Sequence, residues 1–395
     1  MRTEGNDPEG VPATSRRGWW VTGAALVLVV AVSAGVLFGT GHLAVTFGPT
    51  SKPSDVGSDQ SGTASEATHR PFHNDSQPVD CATGSFHAAT VPKGFDPVAI
   101  SPNGKYIVGE VDKPAKSFGL WHNGKLSIIE GYPQSEEGVL DDLDVNDSGE
   151  VAGSGSPAWR YADGRFQSLK NLDEGTAFIA NDGSVTGEVD VSKPEGTAPA
   201  RWAPGETKPT RLRGPEDPNV EIAGVSVSGT AVGVAYETNS DGTPKVWAWD
   251  ASGNPKQFTD YHEYAYPLAV SGDWALLTTS SDRSYVSDYD MDEQKLRLNL
   301  DTGKIEKVDG IHEFGSETQG AALIDSCGRA YALDDANNFA VADPSKVEVL
   351  PGSTKPQDQG LEEDNPSNVF VDVSADGSIA LGASWDGGLK MWVRQ

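Results

Sequence analysis

Basic residues are scarce in this chain. Thirty lysines and arginines stand against 58 aspartates and glutamates, a formal net charge of -28 over 395 residues. Gripping a phosphate backbone takes clustered Lys and Arg that displace counterions, and no such cluster occurs, so nucleic acid is excluded as a partner. Cysteine is nearly absent too, with only Cys81 and Cys327. Two isolated cysteines do not make a metal site, and in an oxidising compartment they are expected to pair as a disulfide. Local catalytic signatures are also missing. Gly224 to Gly229 (GVSVSG) lacks the spacing of a nucleophile elbow, and His69, His73, His87, His122, His262 and His312 fall into no zinc-protease pattern. A catalytic triad needs only proximity in space, so one gathered from distant segments stays open.

Charge is missing altogether from residues 19–45, WWVTGAALVLVVAVSAGVLFGTGHLAV. This exceeds the roughly 20 residues that cross a bilayer core as a helix, and we read residues 19–43 as a transmembrane span. Arg16 and Arg17 flank its amino side and no Lys or Arg follows until Lys52, so residues 1–18 form a short cytoplasmic tail and the rest is extracellular. A cleaved export signal is the alternative, because SRRGWW (15–20) resembles a twin-arginine motif and VSA (32–34) suits a cleavage site. Gly35 and Gly39 form a GxxxG pair that would permit a helix-mediated dimer. Residues 44–80 are dense in Ser, Thr, Asp, Gly and Pro, and read as a flexible linker reaching roughly 30 Å.

The chain as a whole is 37% hydrophobic and rich in glycine, and from residue 81 it is repetitive. An apolar run, a polar turn ending in Gly and a second apolar run recur with turn glycines at Gly104, Gly149, Gly183, Gly229, Gly272, Gly328 and Gly377. Each Gly supplies the positive φ of a tight hairpin. A second hairpin follows in most units, its first strand carrying Trp121, Trp159, Trp202, Trp249 or Trp392, which we assign to the core. Two hairpins make a four-stranded blade, and seven units make a seven-bladed β-propeller over residues 81–395, an all-β fold. The last unit stops after its third strand, so GSFHAATV (84–91) is expected to complete it and close the ring.

SPNGKYIVGEV (101–111) and SADGSIALGASWDGGLKMWV (374–393) resemble the repeats of TolB-like and WD-type propellers, and VNDSGEVAGS (145–154) with AWRYADGRFQSL (158–169) is similar to the HAF-type extracellular repeat. The resemblance spans about residues 84–395 and implies fold far more than function, since propellers serve binding and catalysis alike. The fifth unit, with SGDWALL, is one residue short before its Gly. The sixth has NNFAVADPSKVEVL in place of the Trp-bearing strand.

Three stretches carry candidate chemistry. Asp142, Asp144 and Asn146 mimic a calcium loop, but an EF-hand needs Gly at its sixth and Glu at its twelfth position, where Asp147 and Gly153 stand, so we read a hairpin turn. Asp288, Asp290 and Asp292 alternate in SDYDMDEQK (287–295), within the longest interval between turn glycines; a solvated acidic loop and a calcium site both fit. No cofactor is expected, with calcium as the alternative. DYHEYAYP (260–267) gathers Tyr261, His262, Tyr264 and Tyr266, either as a recognition surface or as packing between blades. The expectation is a membrane-anchored extracytoplasmic propeller acting as a binding or scaffolding module for a protein or cell-wall component. The alternative is a hydrolase or lyase of wall polysaccharide, with carboxylates gathered at the channel mouth.

Overall fold

The structure is a computed structural model that describes residues 71–395 apart from 113, 134–141, 156, 173–175, 193–194, 216–218, 237–243, 260–263, 281–293, 312–321, 335, 337, 345, 353–368 and 385–387. The uncharged run at 19–43 and its GxxxG pair lie outside the described residues. Among those described, no helix is long and apolar enough to cross a membrane.

After a short strand β1 (Phe86–Ala89), blade 1 contains β2 (Phe95–Ile100), β3 (Tyr106–Val111), β4 (Ser117–His122) and β5 (Lys125–Glu130). Blade 2 contains β6 (Leu143–Val145), β7 (Val151–Gly153), β8 (Trp159–Ala162) and β9 (Arg165–Ser168). Blade 3 contains β10 (Phe178–Ile179), β11 (Val185–Ser192), β12 (Glu195–Trp202) and β13 (Thr210–Arg211). Blade 4 contains β14 (Val220–Val225), β15 (Ala231–Tyr236), β16 (Pro244–Trp249) and β17 (Pro255–Phe258). Blade 5 contains β18 (Tyr264–Ser271), β19 (Trp274–Ser280), β20 (Gln294–Asn299) and β21 (Ile305–Val308). Blade 6 contains β22 (Leu323–Ile324), β23 (Ala330–Leu333), β24 (Phe339–Asp343) and β25 (Lys346–Val349). Blade 7 contains β26 (Val369–Val373), β27 (Ile379–Ala383) and β28 (Leu389–Arg394), and its outer strand is β1, paired antiparallel to β28 with His87 opposite Val393. The first strands of consecutive blades touch all the way round, β26 meeting β2, so the seven-bladed ring is closed.

The turn chemistry explains why the repeat was visible. All seven turn glycines have positive φ, from 55° at Gly272 to 85° at Gly229. In six blades the Gly N–H donates to the carbonyl of the residue three before it, as Gly149 to Asn146 at 3.0 Å. In five of these that earlier residue is a buried Ser, Asn or Asp whose side chain accepts the N–H leaving the turn: Tyr106 to Ser101, Glu150 to Asn146, Thr230 to Ser226, Arg329 to Asp325 and Ile379 to Ser374. A buried polar side chain so paired fixes the turn at little desolvation cost. Blade 5 departs because Ser271 pairs directly with Trp274, leaving only Gly272 and Asp273 in its turn. That is the residue missing from its sequence repeat.

Alternate side chains of each strand face the two neighbouring blades, and the core accordingly forms seven separate apolar clusters, one at each interface between blades. Trp159, Trp202, Trp249 and Trp392 are fully buried in them. Three indoles also donate backwards, Trp202 to the Lys170 carbonyl, Trp249 to Arg213 and Trp392 to Pro351, each just past the outer strand of the preceding blade. Trp121 corrects the expectation: it is only partly buried, because Phe118, on the opposite face of β4, fills the interface to blade 2 and stacks on Trp159 at 5.6 Å. The linker boundary at residue 80 is also corrected. Phe72 packs on the cluster between blades 4 and 5 and Asn74 is buried against their turns, because a polar segment can be ordered by hydrogen bonds that composition does not register.

Candidate functional site

Tyr261 and His262 lie outside the described residues, in the connection from β17 to β18. Asp288, Asp290 and Asp292 lie outside them too, between β19 and β20. Tyr264 is the first residue of β18. Tyr266 is buried, its ring 6.5 Å from that of Tyr236 on blade 4, so it packs between blades instead of facing a partner. Cys81 and Cys327 are joined by a disulfide that ties the segment before β1 to the first turn of blade 6.

The Asp142–Gly153 stretch is a hairpin. Asp144 lies on β6, and the Asp147 carboxylate in the turn accepts from the Asn103 N–H at 2.7 Å and the Asn181 amide at 2.6 Å, tying blades 1, 2 and 3 together. Among the described residues no group of three or more His, Cys, Asp or Glu is placed to share a metal ion.

The chemistry that the sequence did not reveal is directed at the innermost strands, from carboxylates on first strands and from one on the second strand of blade 3. In every blade the first strand is an edge, whose outward N–H groups need partners. Asp144 supplies one: its carboxylate accepts from Ile179 of blade 3 at 2.7 Å and from its own neighbour Val145 at 2.8 Å. Asp372 repeats the device from blade 7 to Ile100 of blade 1 at 2.6 Å, with Val373 at 2.7 Å. Glu188 on β11 reaches Ile222 of blade 4 at 2.5 Å. Each donor lowers the affinity of its carboxyl for a proton, yet burial outweighs it. Asp144 is pushed up to about 6, and Asp372 and Glu188 to about 7. Asp372 is raised further by Asp144 and Glu188 by Glu221, so the acids sense one another at the centre of the ring. Glu221 and Asp96, also on first strands, are raised by burial as well. Carboxyls that titrate near neutrality suit general acid or base work, but here their bonds go to neighbouring strands, and the arrangement joins blades.

These shifts predict an acid-favoured fold. A carboxyl whose folded pKa is raised binds its proton more tightly in the folded chain, so its contribution is present at low pH and is lost as pH rises from about 4 to about 7. Each group contributes at most about 1.4 kcal/mol per pH unit within that window, less where solvent reaches it. The melting temperature is therefore expected to be higher at pH 5 than at pH 8, and Asp372→Asn, which mimics the protonated acid, should flatten the slope. An equal slope in the variant would remove Asp372 from the account.

A second unforeseen set is cationic. Arg160, Arg201 and Arg297, on the third strands of blades 2, 3 and 5, donate to the carbonyls of Gly183, Gly229 and Gly328, the turn glycines of the following blades, at 2.7, 2.5 and 2.9 Å. Arg160 and Arg201 adjoin the core tryptophans as Trp-Arg and Arg-Trp, the one local sign of their role.

No family model matches the chain, and no curated protein matches it. Among solved structures it is similar to Kuenenia stuttgartiensis hydrazine synthase, at 15% identity over 84% of this chain and 98% of that one, with a TM-score of 0.48. It is also similar to the β-propeller domain of the Trilobed protease from Pyrococcus furiosus, described as having an open velcro topology, at 12% identity over 77% and 94%, again with a TM-score of 0.48. Likeness at this level carries no argument about function. The fold rests on this chain's own strand pairing.

Proposed function

We propose that the protein is an extracytoplasmic binding or scaffolding module, tethered by a membrane helix at 19–43 and engaging a protein or cell-wall component at the outer face. The observation that carries the reading is the Cys81–Cys327 disulfide, a bond that persists in oxidising compartments and agrees with an uncharged span ahead of the propeller. The engagement of Asp144, Asp372 and Glu188 in holding blades together favours a rigid platform over a reaction centre.

Crosslinking and capture of the full chain from its own membranes tests this. One partner should be recovered, and lost when residues 81–395 are deleted; no partner together with turnover of a wall glycan would install the hydrolase or lyase instead. Tyr261, His262 and Tyr264 are the first side chains to replace by alanine, with capture expected to fall about tenfold for a set that anchors the contact. Tyr266→Ala should instead lower the melting temperature, as its ring is buried. For Asp288, Asp290 and Asp292 the reading is a solvated acidic loop, with calcium binding the alternative; a rise in melting temperature with added calcium that chelator reverses would establish the alternative.

A further inference from the structure

Residues 72–82 belong to no sheet, yet they run along the turn-bearing rim from blade 4 to blade 7. Phe72 joins the apolar cluster between blades 4 and 5, with the Lys256 ammonium 5.3 Å from its ring centroid. The His73 N–H donates to the Asp250 carboxylate at 3.2 Å. Asn74, 4% exposed, accepts from the Thr230 hydroxyl of blade 4 at 2.7 Å and donates to the Asp273 carboxylate of blade 5 at 2.8 Å and the Gly272 carbonyl at 3.4 Å. Cys81 is then bonded to Cys327. The next residue, Ala82, donates its N–H to Asp376 of blade 7 at 2.9 Å and accepts from Arg329 of blade 6 at 2.8 Å. Only after these contacts does the chain enter β1.

The turns of neighbouring blades are themselves bonded in a ring. Asn103 meets Asp147, Asp147 meets Asn181, Asn181 meets Val227, Ser271 meets Ser326, Ser326 meets Ala375 and Ala375 meets Pro102. Among the described residues, the first turns of blades 4 and 5 are linked through Asn74.

β1 is four residues long, and as an outer strand it is held on one side only. An edge strand drawn from its end gives way one hydrogen bond at a time, so a pull from the N-terminal side would open the ring at little force. A covalent bond placed upstream of β1 removes that route.

We propose that residues 72–82 form a locking strap. Asn74 keys the turn ring between the first turns of blades 4 and 5, and the Cys81–Cys327 pin passes a pull on the N-terminal chain to blade 6, sparing β1. The pin acts whatever the N-terminal chain is attached to, so this stands apart from the binding reading.

The full chain, held by handles at its two ends in an optical trap, tests the pin. In the oxidised protein only residues 72–80 should come free before the fold resists, and its total extension should fall short by the stretch between Cys81 and Cys327, a sequence separation of 246, roughly 850 Å at full stretch. With dithiothreitol, or in Cys81→Ser/Cys327→Ser, a first event should occur at clearly lower force and release about 20 residues, roughly 70 Å. The reduced wild type gives the comparison if the variant does not fold. An identical first event in both states overturns the pin. For the key, Asn74→Ala should raise hydrogen exchange at least about tenfold in peptides holding Thr230 and Gly272 while leaving those holding Ser101 and Asn146 unchanged; unaltered exchange at Thr230 and Gly272 overturns it.

Discussion

Arg329→Met is expected to destabilise the protein by about 3–5 kcal/mol, read as a lower urea midpoint at constant slope. Arg329 is 7% exposed and its partner Asp325 fully buried. Its Nε bonds the Asp325 carboxylate at 2.7 Å while its two terminal nitrogens hold the carbonyls of Ala82 and Asp376 at 2.8 and 2.7 Å. Methionine fills the volume but takes the one cation from a buried carboxylate, which keeps only neutral donors from Tyr331 and the Cys327 and residue-329 N–H groups, and takes the guanidinium from the Ala82 carbonyl; an uncompensated buried charge is the costly half of such a pair. Burial already raises the Asp325 pKa against the opposing pull of Arg329. Without the arginine it climbs further, so the loss should ease as pH falls. Asp325→Asn/Arg329→Met, with both charges gone, should recover part of the stability. A loss under about 1 kcal/mol in the single variant would show that the pair is not held as described.

Deleting the chain through Ala89 should abolish the closed monomer. The deletion removes the outer strand of blade 7, withdraws Phe86 from the cluster shared by blades 6 and 7, and turns β28 into a free edge. Light scattering should show self-association through that edge, and the cooperative melt should broaden or vanish. A peptide of residues 72–91 supplied in excess should restore part of the melt by binding the open ring. A truncated protein that stays monomeric with an unchanged melting temperature would mean that β1 does not close the ring.

What could be read from the sequence was what local chemistry dictates. A glycine at positive φ, joined in five blades by a buried polar residue three before it, is a short-range requirement, so the seven hairpins stood out, and three strands in the last unit implied the fourth at the other end. Four of the five tryptophans met their expected burial. Trp121 did not, since which face of β4 is larger depends on Phe118, and both faces look apolar in sequence. The strap was illegible because its order comes from Asn74 bonds to residues 156 and 199 positions away. Asp144 and Asp372 did leave a trace: each stands five residues before its turn glycine, and each accepts from a residue four before the glycine of the next blade, Ile179 or Ile100. That regularity appears in only two blades, too few to register as a pattern.

The pairing of β1 with β28 also sets a schedule. Arg394 donates to the Gly84 carbonyl across 310 residues, so the first strand made waits for the last. At a synthesis rate of about 5–20 residues per second the open ring persists for roughly 15–60 s, and a contact of such long range closes slowly even then. β1 is suited to waiting, being short and bearing exposed His87 and Ala88, features that discourage pairing with a stranger. Cys81 waits as well, since its partner turn exists only once blade 6 has formed. A chain that ends before blade 6 can complete neither bond, and it shows the failure outwardly as an unpaired strand and a free thiol.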